Sequence, residues 1–549
     1  MSFNAASLIE RHAAERPDAP ALAFPSRSAP TQATTWDRWT YAELDLAASE
    51  YAAGFRAMGV RPGERTLLLI KPSLDFFAVV FGLLKIDATP VILDPRMGFK
   101  AVHGCIGQIR PQALVAIPPV HAVRQVFRGP FSELEHVVTD GARWFWGGST
   151  LAQVRAAGAA APARAVDVAA DDQAAIIFTS GSTGPAKGVS LRYGAFWTGV
   201  HAIRELYDLG PGTTIVECFA PFALYDLAMG SSVILPDMDL SAPATASPAR
   251  VVDAITAHQA DTAFASPIVW VNTVRWCQAQ GVQLPTLRQV LSAGAPIPAD
   301  LHRRFRQVLA PGAQVHTPYG CTEGMPVATI ASDAVLAETQ ALTASGAGTC
   351  VGYLAPQMEV RVMRITDDAL PEWTDDLRLP AGDIGEVVLC GDVVSREYVE
   401  RPDANAVSKL RDGELVLHRM GDLGYFDEQG RLWFCGRKAH RLETASGMVP
   451  AVPVEGVFNE HPKVRRTALV GVGASGAERP VLIVQLEPGQ TWEPGDEAAL
   501  LALATGTRWE GLVTQVMLHP SFPVDPRHNS KIRREELKVW ASSRAGGSS

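Results

Sequence analysis

The sequence predicts an α/β protein with a large N-terminal part and a smaller C-terminal one. Strand-like and helix-like apolar stretches alternate from about residue 65, in RTLLLIK, DFFAVVFGLLKID and TPVILD, and again through 215–330. Such alternation marks α/β units around a largely buried sheet. After about residue 350 the texture changes to short strands and turns, as in GDIGEVVLCGD and GRLWFCGRK. The length, 549 residues, also exceeds what one hydrophobic core organises, so two to four domains are expected.

Residues 5–60 read as helical, with apolar spacing in SLIERHAAERP and in YAELDLAASEYAAGFRAMGV. Gly59 and the Arg61-Pro62-Gly63 turn end the second helix. The apolar run Phe76 to Leu84 is too short to span a bilayer and predicts a buried helix. The Ala-rich stretch 152–170 fits a helix or a surface connection. QAAIIF at 173–178 is a short strand that runs into a Gly/Ser/Thr loop, and DEQGRLWFCG at 427–436 predicts a hairpin. The expected boundaries are 1–436 for the large domain, 437–540 for the small one and 541–549 for a disordered tail. No internal repeat is evident. GVGASG at 471–476 matches a dinucleotide-binding glycine pattern, but ERPVLIVQL follows it and reads as a strand where that fold needs a helix.

Composition narrows the function classes. Hydrophobic residues make up 47% and charged residues 19%, as in ordinary globular proteins. A net charge of −9 argues against a nucleic-acid binder. The seven cysteines are scattered and form no Cys-x-x-Cys pair, which fits a reducing, cytoplasmic setting and neither a disulfide framework nor a zinc site. The N-terminal stretch lacks a secretion signal's apolar core, and no transmembrane segment is expected.

The densest chemistry lies in IIFTSGSTGPAKGVSL, residues 176–191. Thr179, Ser180, Ser182 and Thr183 supply hydroxyls, Gly181 and Gly184 admit close backbone approach to an oligophosphate, and Lys187 adds a point charge. This is not the Walker pattern, because no Ser or Thr follows Lys187 directly.

With this loop the sequence resembles the superfamily of acyl-CoA synthetases, luciferases and peptide-synthetase adenylation domains. The resemblance runs through SAGAPIP at 292–298, YGCTEG at 319–324, MGDLGYFDEQG at 420–430, GRK at 436–438 and NSKI at 529–532. Singly, Glu323 would pass for a surface carboxylate, Asp422 for a turn residue and Lys531 for one of several basic residues. Their order around the loop favours function.

The resemblance implies two α/β subdomains plus a β-barrel-like part, followed by a small mobile α+β lid. It implies ATP and Mg²⁺ as cofactors. The loop from Thr179 to Lys187 would hold the β- and γ-phosphates. Gly294, Ala295 and Pro296 would line the adenine pocket, with Tyr319 on the adenine face. Thr322 would touch the α-phosphate, Glu323 would hold Mg²⁺, Asp422 would bind the ribose hydroxyls, and Arg437 would lie at the same sugar. Lys531 on the lid would bridge the substrate carboxylate and the α-phosphate.

The hinge segment GRKAHRLETASGM, 436–448, departs from the pattern of ordinary acyl-CoA synthetases. Ala439 replaces their charged hinge residue, Glu443 replaces an apolar or basic one, and only Gly447 remains of a glycine pair. PFALYD at 221–226 lacks a histidine found in many relatives. The phrases FAPFALYD, YGCTEGMPV and DPRHNSKIRREEL look most like the bacterial olefin-pathway β-lactone synthetases. That resemblance implies a long-chain 2-alkyl-3-hydroxy acid as substrate. It also implies partners among the pathway's condensing enzyme, reductase and hydrolase. Phe219, Phe222, Leu224, Tyr225 and Trp270 are candidate walls for the acyl chain, with plain core packing an equal alternative. His440 is the candidate for taking the β-hydroxyl proton. The rival expectations are a long-chain fatty acyl-CoA ligase and a non-catalytic nucleotide-binding member of an assembly.

Overall fold

The computed structural model describes residues 2–26, 34–179, 186–524 and 531–545. Two sheets organise the large N-terminal domain. The first has seven strands in the spatial order 149–150, 136–139, 113–116, 65–69, 89–92, 173–179 and 187–192. Its pairings are parallel except the last, Gln173–Thr179 with Lys187–Arg192.

The second sheet has 14 strands. One half is parallel, with Thr214–Glu217, Thr262–Phe264, Gln289–Leu291 and Gln314–Cys321 side by side. The hydrogen bonding then continues into antiparallel strands from Gly324–Ala331 to Leu415–Phe426 and Leu432–Arg437. This antiparallel run occupies the part expected to be barrel-like.

Helix Leu74–Lys85 is buried over nearly its whole surface, as its apolar run predicts. Ser73 caps it by accepting from the Phe76 N–H. Its last residue, Lys85, is fully buried and makes ion pairs with Glu10 and Asp45. One segment departs from expectation. Residues 5–60 are not helical throughout, because Pro20–Pro25 and Trp36–Thr40 are paired strands. Pro20–Pro25 is held by Ser232–Ile234, some two hundred residues away, a partner no local pattern announces.

The small C-terminal domain is α+β. Val464–Val472 and Arg479–Leu486 pair antiparallel, and Gln515–Leu518 adds in parallel. GVGASG therefore runs from the end of a strand into a hairpin turn. Helices Ala451–Phe458 and Arg534–Ala545 pack on this sheet through Val454, Leu469, Leu482, Leu537 and Ala541. No described helix is long and apolar enough to cross a membrane.

Candidate active site

The parallel half of the large sheet sets out the site. Glu217, Phe264, Leu291 and His316 form one row across four strands. The segments leaving these strand ends carry Phe219, Gly294 and Tyr319 into one cavity of about 1960 Å³. Ligands in open α/β sheets bind beyond such carboxyl ends. The volume is about twice the upper range usual for small-molecule pockets.

At the polar end, the hairpin of Gln173–Thr179 and Lys187–Arg192 sets Thr179 opposite Lys187. Ser180, Gly181, Ser182, Thr183 and Gly184 lie outside the described residues. Lys187 Nζ sits 4.7 Å from the Tyr398 ring centre. Burial pulls its ammonium below the ordinary lysine value, and Glu323 pushes back.

Thr322 and Glu323 line the cavity at the turn after Gln314–Cys321. The Tyr398 hydroxyl donates to Glu323 Oε1 at 2.7 Å. Burial opposes ionisation of Glu323, but His418, the Tyr398 hydroxyl and Lys409 together hold its carboxyl below the usual range. Burial and Lys409 drive His418 down to about 3, so it is neutral near pH 7. At that pH the Tyr398 hydrogen bond and the Lys409 charge stabilise the Glu323 anion. Burial also brings Lys409 down to about 8.

Cys321, Glu323 and His418 could converge on one cation. A thiol and an imidazole are poor partners for Mg²⁺, which takes oxygen ligands, so Glu323 is the member of this set that suits it. Tyr398, Lys409 and His418 are additions to the sequence-derived set. Strand pairing brings Lys409 and His418 to Glu323, and close packing brings Tyr398.

Asp422 and Arg437 face each other on adjacent strands, Leu415–Phe426 and Leu432–Arg437. Arg437 Nη1 is 2.9 Å from Asp422 Oδ1, and the Tyr319 hydroxyl donates to Oδ2 at 2.6 Å. Oδ1 is buried and lacks a well-directed hydrogen bond among the described residues, with only the guanidinium's charge beside it. Burial raises the Asp422 pKa, against Arg437, Tyr319 and Lys531. Lys531, from the C-terminal domain, lines the same cavity and is close enough to act on Asp422.

Other expected residues divide. Gly294 lines the cavity with Ala293, while Ala295 and Pro296 do not. Phe219, Phe222, Leu224 and Tyr225 form part of the apolar wall with Phe264. Trp270 does not reach it. Trp270 is fully buried, donates its indole N–H to the Leu291 carbonyl and packs on Phe305. Its helix turns that face toward a separate core between helix and sheet. His440 is also outside the cavity wall, although Lys438 and Ala439 belong to it. Its Nε2 lies 2.9 Å from Glu535 of the last helix, a carboxylate outside the cavity wall.

The sequence profile of the AMP-binding enzyme family matches residues 9–399. The chain belongs to this family. Two relatives named olefin beta-lactone synthetase are each 42% identical over 547 residues. The one from Xanthomonas campestris pv. campestris covers 98% of this chain and 97% of its own. The one from Stenotrophomonas maltophilia covers 98% of both. Among solved structures, the amide bond synthetase McbA from Marinactinospora thermotolerans superposes with a TM-score of 0.77 at 24% identity, over 98% of this chain and 99% of its own. The anthranilate CoA ligase AuaEII, in complex with anthranoyl-AMP, gives 0.79 at 19% identity, over 100% and 98%. These two likenesses speak to the fold alone.

Proposed function

We propose that this adenylate-forming ligase converts a long-chain 2-alkyl-3-hydroxy acid into a β-lactone. The reaction passes through an acyl-AMP and releases diphosphate and then AMP. The observation that carries this is the union, in one cavity, of a polar end built from Tyr319, Asp422, Arg437 and Lys531 with a long apolar end. Whole-length identity to the two β-lactone synthetases supports the choice of product.

The residue roles follow from charge. Asp422 Oδ1 accepts a ribose hydroxyl, and Tyr319 packs on the adenine. Lys187 and Thr179 meet the terminal phosphates. Glu323 holds Mg²⁺ together with phosphate oxygens, and the ion, when bound, offsets phosphate charge. Lys531 neutralises the approach of the substrate carboxylate to the α-phosphate, where anion meets polyanion. The substrate's β-hydroxyl oxygen then attacks the acyl carbon. The C–O bond to AMP breaks, and the four-membered ring closes. Intramolecularity supplies the proximity, and the mixed anhydride supplies the drive against ring strain.

The seven free cysteines fit a cytoplasmic enzyme, and partners are expected among a condensing enzyme, a reductase and a hydrolase of the same pathway. The test is incubation with ATP, Mg²⁺ and a 2-alkyl-3-hydroxy acid without CoA, followed by NMR. A β-lactone with one equivalent of AMP is expected. A thioester formed only once CoA is added would overturn the proposal.

A further inference from the structure

The cavity holds a pair of carboxyl groups that the adenylation step leaves unused. Glu217 ends the strand Thr214–Glu217, and Asp226 lies on the helix that follows, Ala220–Met229. Both line the cavity, yet Glu217 is 1% and Asp226 4% exposed. The cavity wall around them carries Phe219, Phe222, Tyr225 and Phe264. Carboxyl groups so deeply buried are normally ion-paired. Among the described residues neither acid has an ion-pair partner, and the two carboxyl groups lie near enough to act on each other.

The Phe219 N–H donates to Glu217 Oε1 at 2.6 Å. Burial raises both carboxyl groups, and the charge of Asp226 raises Glu217 further. Two such acids share one proton between them, and because Glu217 Oε1 is already taken up by the Phe219 N–H, the open acceptor of the pair lies on Asp226. The titratable neighbours, Tyr41 beside Asp226 and Cys218 beside Glu217, are held protonated by burial. Arg16 lies over the far ring, 5.4 Å from the Tyr41 centroid. Among the described residues, no amide or hydroxyl donates to Asp226 Oδ2. A carboxylate has about four lone-pair positions. Asp226 thus retains acceptor capacity in a cavity wall that is otherwise mostly apolar.

We propose that the Glu217–Asp226 pair receives the substrate's β-hydroxyl group. This rests on the β-lactone reading above. In the acyl-AMP complex the hydroxyl donates to Asp226. As the ring closes, the β-oxygen forms its bond to the acyl carbon, the bond from that carbon to the AMP oxygen breaks, and the electron pair leaves with AMP. The hydroxyl proton passes to Asp226, and Glu217 steadies the carboxylate before the transfer. Asp226 replaces His440 as the base. The pair also explains how an apolar cavity selects a hydroxy acid, since a site built to bind a hydroxyl discriminates against the analogue without one.

The test separates the two half-reactions in Asp226→Asn and Glu217→Gln. Adenylation is read by ATP–diphosphate exchange, and closure by NMR of the lactone with quenched acyl-AMP quantified alongside. Each is run with a 2-alkyl-3-hydroxy acid and with the matching 2-alkyl acid lacking the hydroxyl. In Asp226→Asn the ratio of closure to adenylation should fall by about 10²–10⁴-fold, the usual reach of a general base. Acyl-AMP should accumulate, and preference for the hydroxy acid in adenylation should weaken. Glu217→Gln, which keeps an N–H donor toward Asp226, should lose less. An unchanged ratio in Asp226→Asn, or equal loss of both half-reactions in both variants, would overturn the proposal. Acyl-AMP without lactone from the unmutated protein would instead remove the β-lactone reading itself.

Discussion

Replacing Tyr398 by Phe removes one hydroxyl from the centre of the site and little else. The ring packs with Val189 and Ala404, and Lys187 and Lys409 lie 4.7 and 5.3 Å from its centroid. A phenyl ring keeps those contacts. What is lost is the 2.7 Å hydrogen bond to Glu323. A hydrogen bond to a charged group contributes about 1.5–3 kcal/mol. If that stabilisation supports the form of Glu323 that holds Mg²⁺, adenylation efficiency should fall roughly 10- to 150-fold.

The pH dependence has a definite sign. Glu323 sits below the ordinary carboxylate range, so its ionised form is present above its folded-state pKa and is lost as pH falls through it. Tyr398→Phe moves that point upward. The acid limb of activity should shift to higher pH, and half-saturation should need more Mg²⁺. ATP–diphosphate exchange, titrated against pH and Mg²⁺, measures both. An acid limb and an Mg²⁺ requirement identical to those of the unmutated protein would refute the role given to Glu323 and to its tyrosine.

Two further outcomes follow from the geometry. Lys531→Ala should lower adenylation by about 10²–10³-fold, the cost of losing a donor aimed at developing charge. Circular dichroism should show the fold intact, since Lys531 lines the cavity rather than a core. His440→Ala should close the lactone at the unmutated rate, because the ring faces Glu535. A selective loss of closure in that variant would return His440 to the reaction.

How much of this was legible depended on distance along the chain. Helix Leu74–Lys85 and strand Gln173–Thr179 announce themselves by local apolar runs. Strand Pro20–Pro25 does not, because one of its two partners is Ser232–Ile234, some two hundred residues on. The same division holds in the site. Thr179, Lys187, Glu323, Asp422 and Lys531 lie in short segments of distinctive composition. Tyr398, Lys409 and His418 are single letters in ordinary sequence, and only strand pairing and close packing bring them to Glu323.

Aromatic residues in apolar context are equally ambiguous. Phe222 and Trp270 each begin as a bulky side chain near a strand end, yet one faces the cavity and the other the Phe305 core. Periodicity cannot separate two buried faces of the same layer. Glu217 and Asp226 make the point most sharply. In VECFAPFALYD they read as two acids flanking an apolar run, and such acids usually bound a buried segment from the solvent side. The strand-to-helix turn instead folds both ends inward. Burying two acids with no ion-pair partner among the described residues is a costly arrangement, and apolar residues of similar size would fill the space at lower cost. Stability alone therefore does not account for the pair, whereas a hydroxyl that must be oriented and deprotonated inside an apolar cavity does.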